Sequence, residues 1–153
     1  MKPNCRALHA VLLLLTLTLV FVGCGEEDVT KAHAQFPDVY SKDDTWLVSW
    51  YICGSDLESE YGAASADLEE LMETDLPPNV RVLILAGGTQ EWQNDTFTRP
   101  LNLYLYDADG LHEIENLPDA DMGSTGTLTN FLRYGAENYP ADHRVFVFWD
   151  HGG

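Results

Sequence analysis

The sequence has few cysteines, few basic residues and no apolar run long enough to cross a membrane. Three cysteines among 153 residues exclude a scaffold held together mainly by disulfides. Only eight lysines and arginines stand against 25 acidic residues, and the formal net charge is −17. Such a chain repels phosphate backbones, which excludes a nucleic-acid partner. The longest apolar stretch, residues 11–22, falls short of the roughly 20 residues that a membrane-spanning helix needs.

The first residues carry the pattern of an export signal. Lys2 and Arg6 precede the apolar stretch, and small residues flank Cys24 after it. This arrangement resembles bacterial lipoprotein signals, in which the cysteine is lipidated and becomes the new amino terminus. We therefore expect a signal peptide over residues 1–23, a lipid anchor at Cys24 and an extracytoplasmic location at a membrane of the bacterial cell envelope. Phe21 stands where such signals usually have leucine, so an ordinary secretory signal remains an alternative.

Residues 24–44 are polar and acidic and show no apolar periodicity, which predicts a flexible tether. Removal of the signal takes Lys2 and Arg6 with it and leaves six basic residues against 25 acidic ones. This charge suits solubility outside the cell, or the attraction of basic substrates. Cys53 lies in a predicted strand, which indicates a small core residue rather than a reactive thiol.

A buried strand and an amphipathic helix are predicted directly after the tether. Residues 46–53 (WLVSWYIC) are apolar on both alternating faces, as in a strand that is covered on both sides. Asp56 is placed to cap the helix that follows. Apolar residues at spacings of three and four predict one helix over residues 57–72, with Glu58 on its acidic, solvent-facing side.

The rest of the chain predicts two more buried strands, a hairpin and a second helix. The alternation in LNLYLY and the turn residues D-A-D-G predict the antiparallel hairpin, at the sheet edge or as an insertion. Ser124 or Thr127 could cap the second helix. The third strand, VFVFW, is expected to be as buried as the first. The predicted ranges are 80–86 and 145–149 for the strands, 101–106 and 111–114 for the hairpin, and a helix around 128–132.

These elements predict an α/β fold with a mostly parallel sheet and a small antiparallel hairpin. The third strand leads into residues 150–153, at the sheet edge where parallel folds usually place their chemistry. A domain rarely ends there, and the third strand would expose a long apolar edge. We therefore expect residues 45–153 to be the amino-terminal part of a longer domain.

No metal or cofactor is expected. Acidic loops can supply the oxygen ligands that calcium prefers, but no EF-hand spacing is present and D-x-D-G is ordinary turn chemistry, which we favour. Three histidines lack the close spacing of a zinc site and are expected to be solvated. The residues concerned are Asp107, Asp109, Asp119 and Asp121 for calcium, and His33, His112 and His143 for zinc.

The residues best suited to catalysis follow the third strand. His151 would be held at the rim of the sheet by a rigid strand, and imidazole can transfer protons near neutral pH. Gly152 allows close approach of a substrate, with a backbone N–H free to face an oxyanion. On spacing alone, a His-Gly pair at a strand end also fits a simple turn.

The order of elements and several segments resemble the clostripain-like cysteine peptidases, relatives of the caspases and legumains. The turn after the first strand departs modestly from the family's D-N-D-L-E and reads GSDLE over residues 54–58. The resemblance covers about residues 45–153 and implies a caspase-like three-layer sandwich. The matching segments are WLVSWYICGSDLE, VRVLILAGG, the stretch from Asp121 through TLTNFLRYGAENYPADHR, and VFVFWDHGG.

The resemblance also implies a cysteine endopeptidase that cleaves peptide or protein substrates, commonly after arginine or lysine. His151 matches the family's catalytic histidine, and Gly152 matches the glycine whose amide helps to bind the oxyanion. The family's nucleophile, a cysteine after the next strand in a motif like D-A-C, has no counterpart here, so this chain alone is expected to be inactive. An inactive lipid-anchored binding or scaffold protein on the same fold is the alternative, and a solute-binding lipoprotein is a more distant one.

Overall fold

The structure, a computed structural model, describes residues 40–97, 101–118 and 120–152. Ser41–Gly153 forms one compact unit, which begins four residues before the predicted start of the domain at residue 45. The predicted signal peptide and the lipidation site at Cys24 lie outside the described residues, as do His33 and Asp119. In the described part of the chain, no helix combines the length and the apolar character needed to cross a membrane.

Five strands form one sheet within the described residues. They are β1 (Trp46–Cys53), β2 (Val80–Gly87), β3 (Asn102–Asp107), β4 (Gly110–Asn116) and β5 (His143–Trp149), in the order β4-β3-β2-β1-β5. β1 pairs in parallel with β2 and β5, whereas β3 pairs antiparallel with β2 and β4. The predicted α/β class and antiparallel hairpin are confirmed, and the hairpin lies at the sheet edge, one of its two predicted places. The sheet is mixed rather than mostly parallel, because the hairpin contributes two antiparallel pairings.

Helices cover both faces of the sheet: α1 (Ser55–Tyr61) and α2 (Ala63–Met72) follow β1, and α3 (Thr125–Asn138) precedes β5. Alternate residues of each strand point to opposite faces, so β1 and β2 contribute to two separate apolar cores. One core contains Ala64 and Leu68 of α2, and the other contains Phe131 of α3. The strand residues buried in the first core are Ile52, Val82, Ile84, Ala86, Tyr104 and Tyr106, and those in the second are Leu47, Tyr51, Leu83, Leu85 and Leu103.

The prediction of one helix over residues 57–72 is wrong, because the helix breaks at Gly62. This glycine has φ 65°, in the left-handed region that glycine enters without steric cost, and it ends α1 and begins α2. Tyr61, one of the regularly spaced apolar residues on which the helix prediction rested, is 73% exposed as a result. The break turns α2 onto the sheet, where Leu68 is fully buried.

Glu58 is fully buried, contrary to the prediction that it faces solvent. Its carboxylate accepts hydrogen bonds from the Ser65 backbone N–H at 2.8 Å, from the Ser65 hydroxyl, and from the Gln93 backbone N–H at 2.7 Å. The N–H groups of a helix's first turn have no partner within the helix, and Ser65 lies in the first turn of α2. Glu58 therefore caps α2 from the preceding helix and ties it to the loop after β2.

The start of α3 is capped by one of the two residues predicted for that role. Ser124 has an extended backbone, and its hydroxyl accepts a hydrogen bond from the Gly126 N–H at 3.2 Å. Ser124 is therefore the capping residue, and Thr127 lies inside the helix.

The hairpin turn lies at Asp107–Gly110, where Asp107 Oδ1 accepts the Asp109 N–H at 2.9 Å, as expected of turn chemistry. Among the described residues, no group of three or more His, Cys, Asp or Glu side chains could hold a metal ion.

β5 is the strand whose burial differs most from the prediction. It was expected to be as buried as β1, but none of its residues is fully buried. β5 lies at the edge of the described sheet and pairs with β1 alone, so Val145 is 39% exposed and Phe148 65% exposed. An apolar sequence therefore did not guarantee a covered strand here.

The amino-terminal rim of the sheet is held by polar contacts between segments. His143, expected to be solvated, is half-buried: its Nε2 lies 2.9 Å from Asp44 Oδ2, and its ring lies 4.4 Å from that of Trp46. The Asp142 carboxylate accepts hydrogen bonds from the backbone N–H and hydroxyl of Thr45. These contacts fasten the end of the predicted tether to the start of β5.

Candidate active site

The carboxyl ends of the three parallel strands meet at one edge of the sheet. The segments that follow them are Gly54–Asp56 after β1, Gly88–Thr89 after β2 and Asp150–Gly152 after β5. Backbone hydrogen bonds continue from β1 to β2 past the strand ends, from the Gly54 N–H to the Gly87 carbonyl at 2.8 Å and from the Ser55 N–H to the Gly88 carbonyl at 2.9 Å. The sheet thus holds these segments side by side.

His151 makes its side-chain contact across this edge with Asp56, the residue predicted to be a helix cap. His151 Nε2 lies 2.6 Å from Asp56 Oδ1, and both side chains are a little over half exposed. The hydrogen bond to Asp56 raises the pKa of the His151 imidazole and lowers that of the Asp56 carboxyl. α1 has no side-chain cap, because its N-cap residue is Gly54 and Asp56 lies in its first turn. The cap prediction for Asp56 is therefore wrong.

A second link joins the same two segments through Asp150. Asp150 Oδ1 accepts hydrogen bonds from the Ser55 hydroxyl and from the His151 backbone N–H, both at 2.8 Å. Ser55 has φ 47°, a left-handed conformation that is uncommon for a residue other than glycine and that persists only where its surroundings hold it. The Asp150 contact and the Ser55–Gly88 backbone bond supply that support.

Next to Asp56 lies an open depression of about 380 Å³ between α1 and the loop after β2. Two of its lining side chains, Asp56 and Glu60, carry carboxylates, so the depression is acidic. The complete lining is Ser55, Asp56, Ser59, Glu60, Gly88, Thr89 and Gln90.

Gly152, the predicted oxyanion-binding residue, is exposed and has φ 81°, with no atom within 4 Å of the position that a Cβ would take. Its backbone conformation therefore favours glycine, although a side chain at this position would meet no neighbouring atom. The space around Gly152 is open to a ligand.

Cys53 is part of this edge but has the electrostatics of an unreactive thiol. Burial raises the pKa of Cys53, and the neighbouring Asp150 carboxylate raises it further. A reactive cysteine needs the opposite, because the thiolate is the nucleophile. Cys53 Sγ also lies against the loop after β2, since a Cβ added at Gly88 would come within 2.6 Å of it.

Replacement of Cys53 by alanine is expected to leave the chain folded, at a stability cost on the order of 1 kcal/mol. The measurement is the midpoint of urea unfolding. In the folded chain, Cys53 should react with a thiol reagent more slowly than a free cysteine does, because its raised pKa disfavours the thiolate. Modification as fast as that of a free cysteine would show that Cys53 is a reactive thiol.

Comparison with known proteins then decides the family. A model of the Clostripain family, Peptidase_C11, matches residues 50–153 and so covers the whole edge just described. The chain belongs to the clostripain family. The family prediction is thereby confirmed. A search of the curated proteins gives no match.

Solved structures of a clostripain and of two cysteine proteases share the fold. A B. fragilis cysteine protease is 18% identical, with a TM-score of 0.52 over 71% of this chain and 90% of that chain. A clostripain from Bacteroides thetaiotaomicron, in complex with the peptide inhibitor BTN-VLTK-AOMK, is 20% identical, with a TM-score of 0.51 over 72% and 92%. A secreted C11 cysteine protease from the same species, iotapain, is 19% identical, with a TM-score of 0.51 over 74% of this chain but 31% of that chain.

Proposed function

We propose that this chain is the amino-terminal part of a caspase-like cysteine endopeptidase in which His151 is the general acid/base. The observation that carries the proposal is the placement of His151 in a clostripain-family chain: it follows β5 at the edge where the parallel strands end, and its imidazole is held by Asp56 at 2.6 Å. An imidazole fixed at an open rim can exchange protons with a substrate group.

The proposed nucleophile is a cysteine that follows the next strand of the domain. Among the described strands, β5 has a partner on one side alone, and a parallel strand added on its free side would end beside His151. Such a strand would also cover Phe148 and Val145, whose apolar side chains are exposed. Cys53 does not suit the role, because its pKa is raised.

In the proposed reaction the thiol gives its proton to the His151 imidazole, and the sulfur attacks the carbonyl carbon of the scissile bond. The oxyanion that forms would face the backbone N–H of Gly152. The imidazolium then donates the proton to the leaving amine as the C–N bond breaks and an acyl-enzyme forms. Water, deprotonated by the same imidazole, hydrolyses the acyl-enzyme and regenerates the thiol.

We further propose that the residue before the scissile bond is arginine or lysine. The peptide part of the inhibitor bound to the B. thetaiotaomicron relative, VLTK, ends in lysine. The formal net charge of −17 and the carboxylates of Asp56 and Glu60, which line the open depression, favour basic over acidic substrates.

The test is an assay of the protein encoded by the reading frame continued past Gly153. Peptides that differ only in the residue before the scissile bond, with arginine, lysine, glutamine or aspartate, are compared by kcat/KM. Cleavage after arginine and lysine, at least about 10²-fold above the other two, is expected for a basic-specific pocket. Absence of cleavage of all four by a folded protein would favour the inactive binding or scaffold alternative.

A further inference from the structure

The contact between Asp56 and His151 joins two parts of the chain that the sequence places far apart. Asp56 lies in the first turn of α1, and His151 follows β5. An isolated ion pair between exposed side chains holds its geometry weakly. This pair is reinforced, because Ser55 and Asp150, the residues directly before each member, are also hydrogen-bonded to each other at 2.8 Å.

We propose that Asp56 is the positioning residue of the site: its carboxylate binds Nε2–H of His151 and leaves Nδ1 as the nitrogen that exchanges protons with the reacting groups. This inference rests on the proposed function, since it assigns a role in that reaction.

The chemistry of imidazole gives the physical reason. A neutral imidazole carries one proton, and a hydrogen-bond acceptor fixed at one nitrogen determines that the other nitrogen is the base. When Nδ1 takes the thiol proton, both nitrogens carry hydrogen and the ring becomes positive. The Asp56 carboxylate then faces a cation and stabilises it, and the proton from Nδ1 goes on to the leaving amine. Asp56 keeps its charge throughout.

Two described charged groups act on the His151 imidazole. Asp56 from α1 holds Nε2, and Asp150 from the same loop adds a second negative charge while its oxygen binds the His151 backbone N–H. Of the two, Asp56 alone contacts the ring, so its removal should release the imidazole into a mixture of its two tautomers. Removal of a charge elsewhere on α1 should not.

The experiment is an NMR titration of the 153-residue chain with ¹⁵N-labelled histidine, which reports the tautomer and the pKa of His151. Asp56→Ala and Asp56→Asn are compared with the wild type, and Glu60→Gln is the matched control, because it removes one exposed charge from the same helix. Thermal unfolding shows whether each variant stays folded.

In the wild type we expect the Nε2–H tautomer in the neutral imidazole and a pKa above its ordinary value. Asp56→Ala should give a mixture of tautomers and a lower pKa. Asp56→Asn should keep the Nε2–H tautomer, because the amide oxygen still accepts, while its pKa falls with the lost charge. Glu60→Gln should keep both wild-type properties. A wild-type tautomer that is unchanged in a folded Asp56→Ala variant would overturn the positioning role.

Kinetics of the longer, active form complete the test. Asp56→Ala is expected to lower kcat on the order of 10²-fold with KM little changed, and Asp56→Asn to recover part of that loss. Wild-type kcat in Asp56→Ala would overturn the inference. If the longer form cleaves no peptide although His151 titrates as expected, the peptidase proposal fails, but the contact of Asp56 with Nε2 stands. Failure of the proposed function is therefore distinguishable from failure of the positioning role.

Discussion

Replacement of His151 by alanine in the proposed longer peptidase should lower kcat for peptide cleavage at least about 10³-fold, because it removes the group proposed to take the thiol proton and return it to the leaving amine. Because His151 is exposed and its side chain is hydrogen-bonded to Asp56 at the rim of the sheet, outside the two cores, the fold should remain intact. KM should change little if the imidazole acts mainly in the chemical step.

His112→Gln is the matched control, because His112 is likewise an exposed histidine that lies near one carboxylate, Asp107, at 3.5 Å, but on β4. It should retain full activity. Turnover in His151→Ala comparable to that of the control would contradict the role of His151 as general acid/base, whatever residue proves to be the nucleophile.

The largest effect on stability is expected from Glu58→Ala. The change leaves the backbone N–H and the hydroxyl of Ser65 without their acceptor in a buried environment, and the Gln93 N–H without its acceptor in a part-buried one. It also vacates the buried space that the side chain fills. Each unsatisfied buried donor costs about 1–3 kcal/mol, so a loss on the order of 3 kcal/mol in the free energy of unfolding is expected. Urea denaturation of the chain measures it.

Glu60→Ala provides the control for this prediction, because it removes the same side chain from the same helix at an exposed position. Its effect should stay within about 0.5 kcal/mol. Glu58→Gln should also destabilise, since an amide group offers one acceptor oxygen in place of two and turns an N–H toward other N–H donors. Equal stability of Glu58→Ala and Glu60→Ala would contradict the capping role of Glu58.

The strands could be predicted from the sequence because their signal is local. WLVSWYIC and VRVLILA are apolar on both faces, and the structure gives β1 and β2 those bounds to within one residue. The hairpin followed from alternation and from D-A-D-G, and of its two predicted places, the sheet edge or an insertion, the structure has the edge. Each of these patterns is set by residues within a few positions of one another.

The errors arose where distant contacts override a local pattern. Glu58 fits the polar side of a helix, but the break at Gly62 brings the first turn of α2 over it and supplies donors for its carboxylate. VFVFW has the composition of a central strand, whereas the burial of β5 depends on which strands pair with it. Helical periodicity does not show which later residues will contact a helix, and composition does not show which strands will pair with one another.

The candidate site was predicted in part. His151 was selected by its place after an apolar strand, and the structure puts it at the shared edge of the parallel strands. Its partner Asp56 was interpreted as a cap, because Asp after a turn commonly fills that role. A usable signal was present, since parallel strands end at the same edge and polar residues after β1 and β5 must therefore meet.

In the proposed peptidase, His151 works with a cysteine that follows the next strand of the sheet. The most direct test treats the protein encoded by the continued reading frame with a thiol-reactive peptide that ends in lysine, and identifies the modified residue by mass spectrometry. We expect one modified cysteine, located beyond residue 153 after an apolar strand, and much slower modification in His151→Ala. Modification at Cys53, or at no cysteine of a folded protein, would contradict the proposal.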